Sequence, residues 1–192
     1  MRPYKDVIVF MITLLVANFF WKFTMIGDED GEMVTWFGID LTAIFEAVSS
    51  HVASAVYWVV SLFRDTVHLI NGHYIRFDSG SGTIVVWSCT GLKQMFIWMC
   101  LILTVPGTSN IKHQTSNNHS LWLHKLWFIP FGWLVCYAFN ILRISLIALL
   151  IEFHPAWFPF LHEWLFKYLF YAMLFGLWVI FVEKIKDSAL SH

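Results

Sequence analysis

Long apolar runs constrain what this chain can fold into before any motif is considered. Val7 to Met25 is almost unbroken, with Arg2 and Lys5 before it and "GDEDGE" after it. Leu126 to Ile151 is long enough to cross a bilayer with tilt, and Trp164 to Val182 forms a last run of crossing length. Leu92 to Val105 is shorter, at the lower limit for a span unless its helix begins near Cys89. Only 13% of the 192 residues are charged, against about 25% in a soluble domain, so much of the apolar surface is expected to face lipid. The 19 Phe and 11 Trp fit several short spans with wetted ends, because Trp and Tyr gather at the bilayer interface. A formal net charge of −1 removes the basic face that a nucleic-acid partner needs.

The first run could pass for a signal peptide, but no small-x-small cleavage site follows "VANFFWKF", so it reads as an anchored helix. Leu41 to Phe63 is apolar too, yet Glu46, Ser50 and Ser54 recur at i, i+4 and i+8. That polar stripe favours an amphipathic helix lying in the interface over a span. Charge distribution supports the choice. With a cytoplasmic N-terminus and no crossing at 41–63, Arg2, Lys5, Lys112, Lys125, Lys184 and Lys186 fall inside, and only Arg64 and Arg76 fall outside. A crossing at 41–63 would divide the same eight evenly, so the positive-inside rule favours four spans with both termini inside. The expected fold is therefore an all-α membrane protein with about four transmembrane helices, an interfacial amphipathic helix and a small extracytoplasmic β-hairpin. The hairpin is "HYIRFDSGSGTIVVWS", residues 73–88, where two β-prone runs flank a Gly-rich turn. No linker, repeat or low-complexity tract interrupts residues 1–192, which read as one membrane domain.

Three polar features break the apolar pattern. Cys89 stands where the strand-like run gives way to a helical one, and the expected outer location puts it at a helix N-terminus, with Lys93 one turn on; dipole and cation both favour thiolate. A structural cysteine is the alternative. Asn140 and Arg143 lie three apart on one face of the third span, Arg143 about 12 Å before Ile151 by helical rise. An ionisable residue at that depth is a functional-site candidate, and a snorkelling side chain is the alternative. His162 and Glu163 open the last span. Glu163 can pair with Lys167 at i+4, whereas His162 has no such partner in sequence and could be an interfacial histidine. Cys89, Arg143 and His162 thus come from three spans to one outer rim. A cysteine nucleophile needs a base beside it and a donor for the developing oxyanion, and this set supplies each once.

Cys100 and Cys136 sit inside apolar runs and read as packing residues. CxxC, HExxH and GxSxG are all missing from the sequence. His113, His119 and His124 are spaced by six and five, which stacks them on no single helical face, and no carboxylate lies among them. No metal and no cofactor are expected.

In these motifs the chain resembles the exosortase/archaeosortase family of membrane transpeptidases, its bacterial exosortase branch in particular. "SCTGLK" is similar to the family's Cys-Ser-Gly-Leu-Arg, "NILRI" to its Asn-x-x-Arg, and "HE" at 162–163 to the histidine opening its final helix, in order over about residues 40–183. Thr90 stands where Ser is usual and Lys93 where Arg is usual, each keeping the chemical type, and the chain lacks the extra N-terminal spans of many members. The resemblance implies a sorting enzyme of the cytoplasmic membrane with its active site on the extracytoplasmic side. Its partners would be secreted proteins ending in a short motif, a hydrophobic helix and a basic tail. Cys89 would be the nucleophile, His162 the proton carrier and Arg143 the oxyanion or orienting group, with Asn140, Lys93 and Glu163 in support. A non-enzymatic envelope scaffold is the competing function, one in which Cys89 would be dispensable.

Overall fold

The computed structural model of the chain describes residues 3–27, 33–105 and 118–190. It is mostly helical: α1 (Pro3–Thr24), α2 (Thr42–Ser61), α3 (Leu92–Thr104), α4 (Asn118–Phe153) and α5 (Phe166–Leu190). The short strands β1 (Met25–Gly27), β2 (Val34–Trp36) and β3 (Ile39–Asp40) lie between α1 and α2. A second set, β4 (Val67–Ile70), β5 (Tyr74–Phe77) and β6 (Gly82–Ile84), lies between α2 and α3. Arg2, the acidic run at 28–32, and the loop carrying Lys112 and His113 lie outside the described residues.

Four helical segments are long and apolar enough to cross a membrane: Lys5–Thr24, Thr42–Ser61, His124–Phe153 and Pro155–Lys184. The set differs from the expected one at two places. Leu92–Thr104 has only 13 residues, about 20 Å of helix, and falls below crossing length, whereas α2 reaches it. The polar stripe of α2, Glu46, Ser50 and Ser54, lies off its buried face. Its buried stripe is Phe45, Ser49, Val52, Ala53, Val56 and Val60, while Ile44, Trp58 and Leu62 are exposed. The Ser54 hydroxyl is closed on its own helix, donating to the Ser50 carbonyl at 2.8 Å.

Side-chain contacts give the register of a bundle built from α1, α3, α4 and α5. Thr13 Oγ1 donates to Thr104 Oγ1 at 3.2 Å while Phe20 stacks on Phe96, so α1 and α3 run antiparallel. Trp98 Nε1 donates to Phe128 O at 3.1 Å and Trp133 Nε1 to Met95 O at 3.0 Å, so α3 and α4 are antiparallel. Phe139–Phe170 and Phe128–Phe181 ring contacts do the same for α4 and α5. The chain therefore leaves the bundle at the end of α1 and re-enters at the start of α3 from the same end, and the described parts of residues 25–91, α2 included, belong to that end. Packing at the bundle centre is tight. Trp98 is fully buried, and a Cβ on Gly132 would overlap its indole, so glycine there lets α3 and α4 approach.

α4 is about 54 Å long and outruns the bundle. Ile144 and Ala148 on its far part share a core with Val52, Val56 and Val60 of α2 and with Val67, Ile75 and Phe77 of the second sheet. Arg64, after α2, forms an ion pair with Glu152 near the end of α4 (Nε–Oε2 3.2 Å) and lies 4.6 Å from the Phe153 ring centroid. The expected hairpin at 73–88 is present as β5 and β6, antiparallel, but β4 adds a third strand through a tight turn at Asn71-Gly72, both with positive φ. The second β-prone run stops pairing as a strand at Ile84, and Trp87–Cys89 is a single 3₁₀ turn. The sheet of β1–β3 was not foreseen. In it Phe37 and Gly38 take positive φ at an exposed turn, and the Asp40 carboxylate accepts from Thr42 N at 2.8 Å. Hydrogen bonding to Thr42 holds the Asp40 carboxyl below its ordinary value.

At the opposite end of α3 from these sheets, buried Lys125 of α4 donates to the carbonyls of Leu103 (3.2 Å) and Val105 (2.8 Å). These acceptors belong to the last turn of α3, where helix carbonyls lack intrahelical donors. Lys125→Met keeps the apolar stem and removes the donor. Unfolding in detergent should show a loss of about 1.5–3 kcal/mol, the range for hydrogen bonds to a charged group. An unchanged unfolding midpoint would mean that water caps α3 instead.

Candidate functional site

The site is assembled where the 3₁₀ turn meets α3. Val86 is extended, Cys89 N donates to Val86 O at 2.8 Å, and Gly91 takes φ +81° as α3 begins. Buried Thr90 secures the turn, its Oγ1 donating to Trp87 O at 2.7 Å. Asn140, also buried, donates from Nδ2 to Cys89 O at 2.7 Å and so fastens the turn to α4. A Cβ on Gly91 would lie 3.2 Å from Asn140 Cγ and Nδ2, tighter than ordinary contact, in a backbone conformation that side chains rarely adopt. One glycine thus serves both the reversal of the chain and the approach of α4.

Arg143 lies just under one turn beyond Asn140 on α4. It is 92% buried (8% exposed), and its Nε has no hydrogen-bond partner. Arg143 and His162 line one cavity, and Asn140, one turn before Arg143, holds the carbonyl of Cys89. His162 is half-buried in a π-helical turn, Phe160–Leu165, and its ring stacks on Phe158 at 5.2 Å. π-Turns are rare and frequently occur at functional sites. The wider turn also changes the side-chain spacing at the start of the last run. Glu163 and Lys167 make no ion pair, although i+4 spacing predicts one. The ion pairs among the described residues are Arg64–Glu152 and His68–Asp78.

A cavity of about 440 Å³ opens at this end, a volume typical of small-ligand sites. Its wall includes Thr90, Lys93, Arg143, His162 and Glu163, together with Lys22, Gln94 and Lys167. Cys89 enters differently: Ser88 and Thr90 on either side of it line the cavity, while its side chain is half-buried against the α2–α4 core. Cys89 also precedes Gly91 by two residues and belongs to the 3₁₀ turn rather than to the first turn of α3. Lys93 faces the cavity, where its charged neighbours are Lys167 and Lys22. Cys100 and Cys136 are both in the bundle core, as packing residues would be.

Lys22, Lys167 and Gln94 were not recognised as site residues. Lys22 closes α1, a position that a helix dipole alone would explain, and Lys167 has an apparent i−4 partner. No spacing rule connects residues 22, 93, 143 and 167. No family model, no curated protein and no solved structure matches this chain. What is established is a mostly helical protein with four helices of membrane-crossing length and a cation-rich cavity at one end.

Gly91→Ala is expected to cost about 2 kcal/mol in detergent unfolding, since left-handed backbone costs about 1–2 kcal/mol with a Cβ and the methyl crowds Asn140. Gly176→Ala, where a Cβ meets nothing within 4 Å, should be neutral or stabilising. Equal effects from the two would remove the special role of Gly91.

Proposed function

We propose that the chain is a cysteine-dependent membrane peptidase or transpeptidase that cleaves C-terminal sorting signals of secreted proteins at the outer face of the cytoplasmic membrane. The observation that carries this reading is that Arg143 and His162 line one cavity together with Ser88 and Thr90, the chain neighbours of Cys89, whose carbonyl Asn140 holds to α4.

The Cys89 thiol attacks the scissile carbonyl, giving its proton to His162 and forming a C–S bond. The oxyanion develops beside Arg143, whose buried guanidinium has an unused Nε donor. Collapse breaks the C–N bond, and the leaving amine takes the proton from the His162 imidazolium. The remaining thioester is attacked by water or by an acceptor amine or hydroxyl, restoring the thiol. Asn140 positions the step by holding Cys89 O, and Glu163 acts on the charge of His162.

In this reading α1, α4 and α5 cross the membrane on their own length, the 13-residue α3 completes a crossing as the short central helix of the bundle, and α2 lies on the outer side in the interface. The antiparallel register supports it, because residues 25–91 leave and return at one end. α4 carries no charged residue between Lys125 and Arg143, about 27 Å of helix, close to the roughly 30 Å of a hydrocarbon core. The partners are then substrates whose hydrophobic helix lies in the bilayer, whose basic tail stops at the cytoplasmic face and whose short motif meets Cys89 outside. Secreted proteins with that three-part ending should be encoded in the same genome.

The chemistry is tested by a gel-shift assay with a co-expressed substrate bearing the three-part tail. Cys89→Ala and His162→Ala should leave it uncut, and the double variant should be hardly worse than either, since members of one catalytic unit are not additive. Arg143→Lys keeps the charge but loses the planar fork of donors, and processing should fall by about 10²-fold or more at unchanged protein level. Full conversion by Cys89→Ala would leave the scaffold role in place of the enzyme.

Sidedness has its own test, read with a membrane-impermeant thiol reagent on intact cells. A cysteine at Ser81 should label and one at Ser116 should not; the reverse pattern would overturn the orientation.

A further inference from the structure

Four helices each send one cation to the same cavity: Lys22 from α1, Lys93 from α3, Arg143 from α4 and Lys167 from α5. Among the described residues of the wall, Glu163 is the only carboxylate. Lys93 lies within electrostatic reach of both Lys167 and Lys22, so like charges are gathered, not dispersed. Peptide-bond cleavage calls for one donor at the oxyanion and leaves the three lysines unexplained. Two polar atoms of the wall, Arg143 Nε and Gln94 Oε1, are buried with no partner, one a donor and the other an acceptor. Removing a polar atom from water without a replacement is unfavourable, so the pair points to a ligand that answers both.

We infer that this cavity is a binding site for a phosphoryl group, gripped by Lys22, Lys93, Lys167 and Arg143. A carboxylate brings a single negative charge. A phosphate carries about −1.5 to −2 near neutral pH and offers three strong acceptor oxygens, enough to face cations arriving from several directions. A monohydrogen phosphate or hydroxyl-bearing phosphoester also supplies the proton that Gln94 Oε1 lacks and an oxygen for Arg143 Nε. The source is either a phosphomonoester lipid headgroup, as in phosphatidic acid, at the membrane surface or free phosphate. The inference shares the cavity of the proposed enzyme but does not depend on thiol chemistry.

The test uses full-length Cys89→Ala protein in detergent, which removes the thiol and so separates binding from catalysis. Inorganic phosphate titrated calorimetrically should bind saturably at one site, and acetate at equal concentration should not. Lys22→Gln/Lys167→Gln should weaken phosphate binding about tenfold or more, the equivalent of one charge-assisted hydrogen bond. Both lysines are exposed, so the variant should unfold in phosphate-free buffer no earlier than its parent; Lys167→Gln alone serves if it does. Displacement of phosphate by short-chain phosphatidic acid identifies a headgroup, and its failure identifies free phosphate; either supports a phosphoryl site. No saturable phosphate binding, equal binding of acetate, or undiminished binding in both lysine variants would overturn the inference.

Discussion

The hydrogen bond from Asn140 Nδ2 to Cys89 O is the contact on which the arrangement of the site depends. It joins two residues far apart in sequence, one on a single 3₁₀ turn and one in the middle of a long helix. Without it the turn would be held to α4 only by apolar packing, which resists separation but does not fix register. Such a bond contributes about 0.5–1.5 kcal/mol net, yet leaving the buried Asn140 amide unpaired would cost about 1–3 kcal/mol. That asymmetry makes it a positioning device. It fixes Cys89 relative to Arg143, because Arg143 follows Asn140 by less than one turn on the same rigid element. Gly91 makes the approach feasible and starts α3 in the same step.

The two ends of α3 show the same design with different chemistry. At one end Asn140 ties down the entry turn; at the other, Lys125 caps the exit carbonyls. Between them Trp133 and Trp98 give their indole N–H groups to backbone carbonyls across the α3–α4 pair. Apolar contact alone specifies helix register poorly when the surrounding medium is lipid, since lipid packs against leucine as well as another helix does. Polar contacts of defined geometry supply the register instead. A short helix held in this way needs no crossing length of its own, which is why a 13-residue segment can sit at the centre of a bundle whose other members are much longer.

The cavity end combines features that a purely structural rim would avoid. Arg143 is buried with an unused donor, the last helix begins with a π-turn, and among the described residues of the wall three lysines and Arg143 face one carboxylate. Each departs from local economy in burial, backbone geometry or charge. Their coincidence in one volume of about 440 Å³ is what makes the site a candidate for chemistry on an anionic or carbonyl-bearing ligand.

Much of this was legible in the sequence. Apolar runs of helical length announced α1, α4 and α5, and the Gly-rich stretch at 78–82 announced the β5–β6 pair. Asn140, Arg143 and His162 stood out because polar residues in apolar runs are costly and therefore informative. Asn71-Gly72 carried a turn signal as plain as the Gly-rich stretch, and β4 was missed because that signal was not used. Other features had no local signature. The strands β1–β3 are two or three residues long, too short for alternation to register. The 3₁₀ turn at Cys89 and the π-turn at His162 depend on how neighbouring helices seat the chain. The convergence of Lys22, Lys93 and Lys167 with Arg143 exists only after α1, α3, α4 and α5 have packed. Sequence alone determined which segments must be helical and which polar residues were expensive, because periodicity and transfer cost are local. Tertiary structure decided which of those residues meet, because helix register is set by contacts between elements that no spacing along the chain can encode.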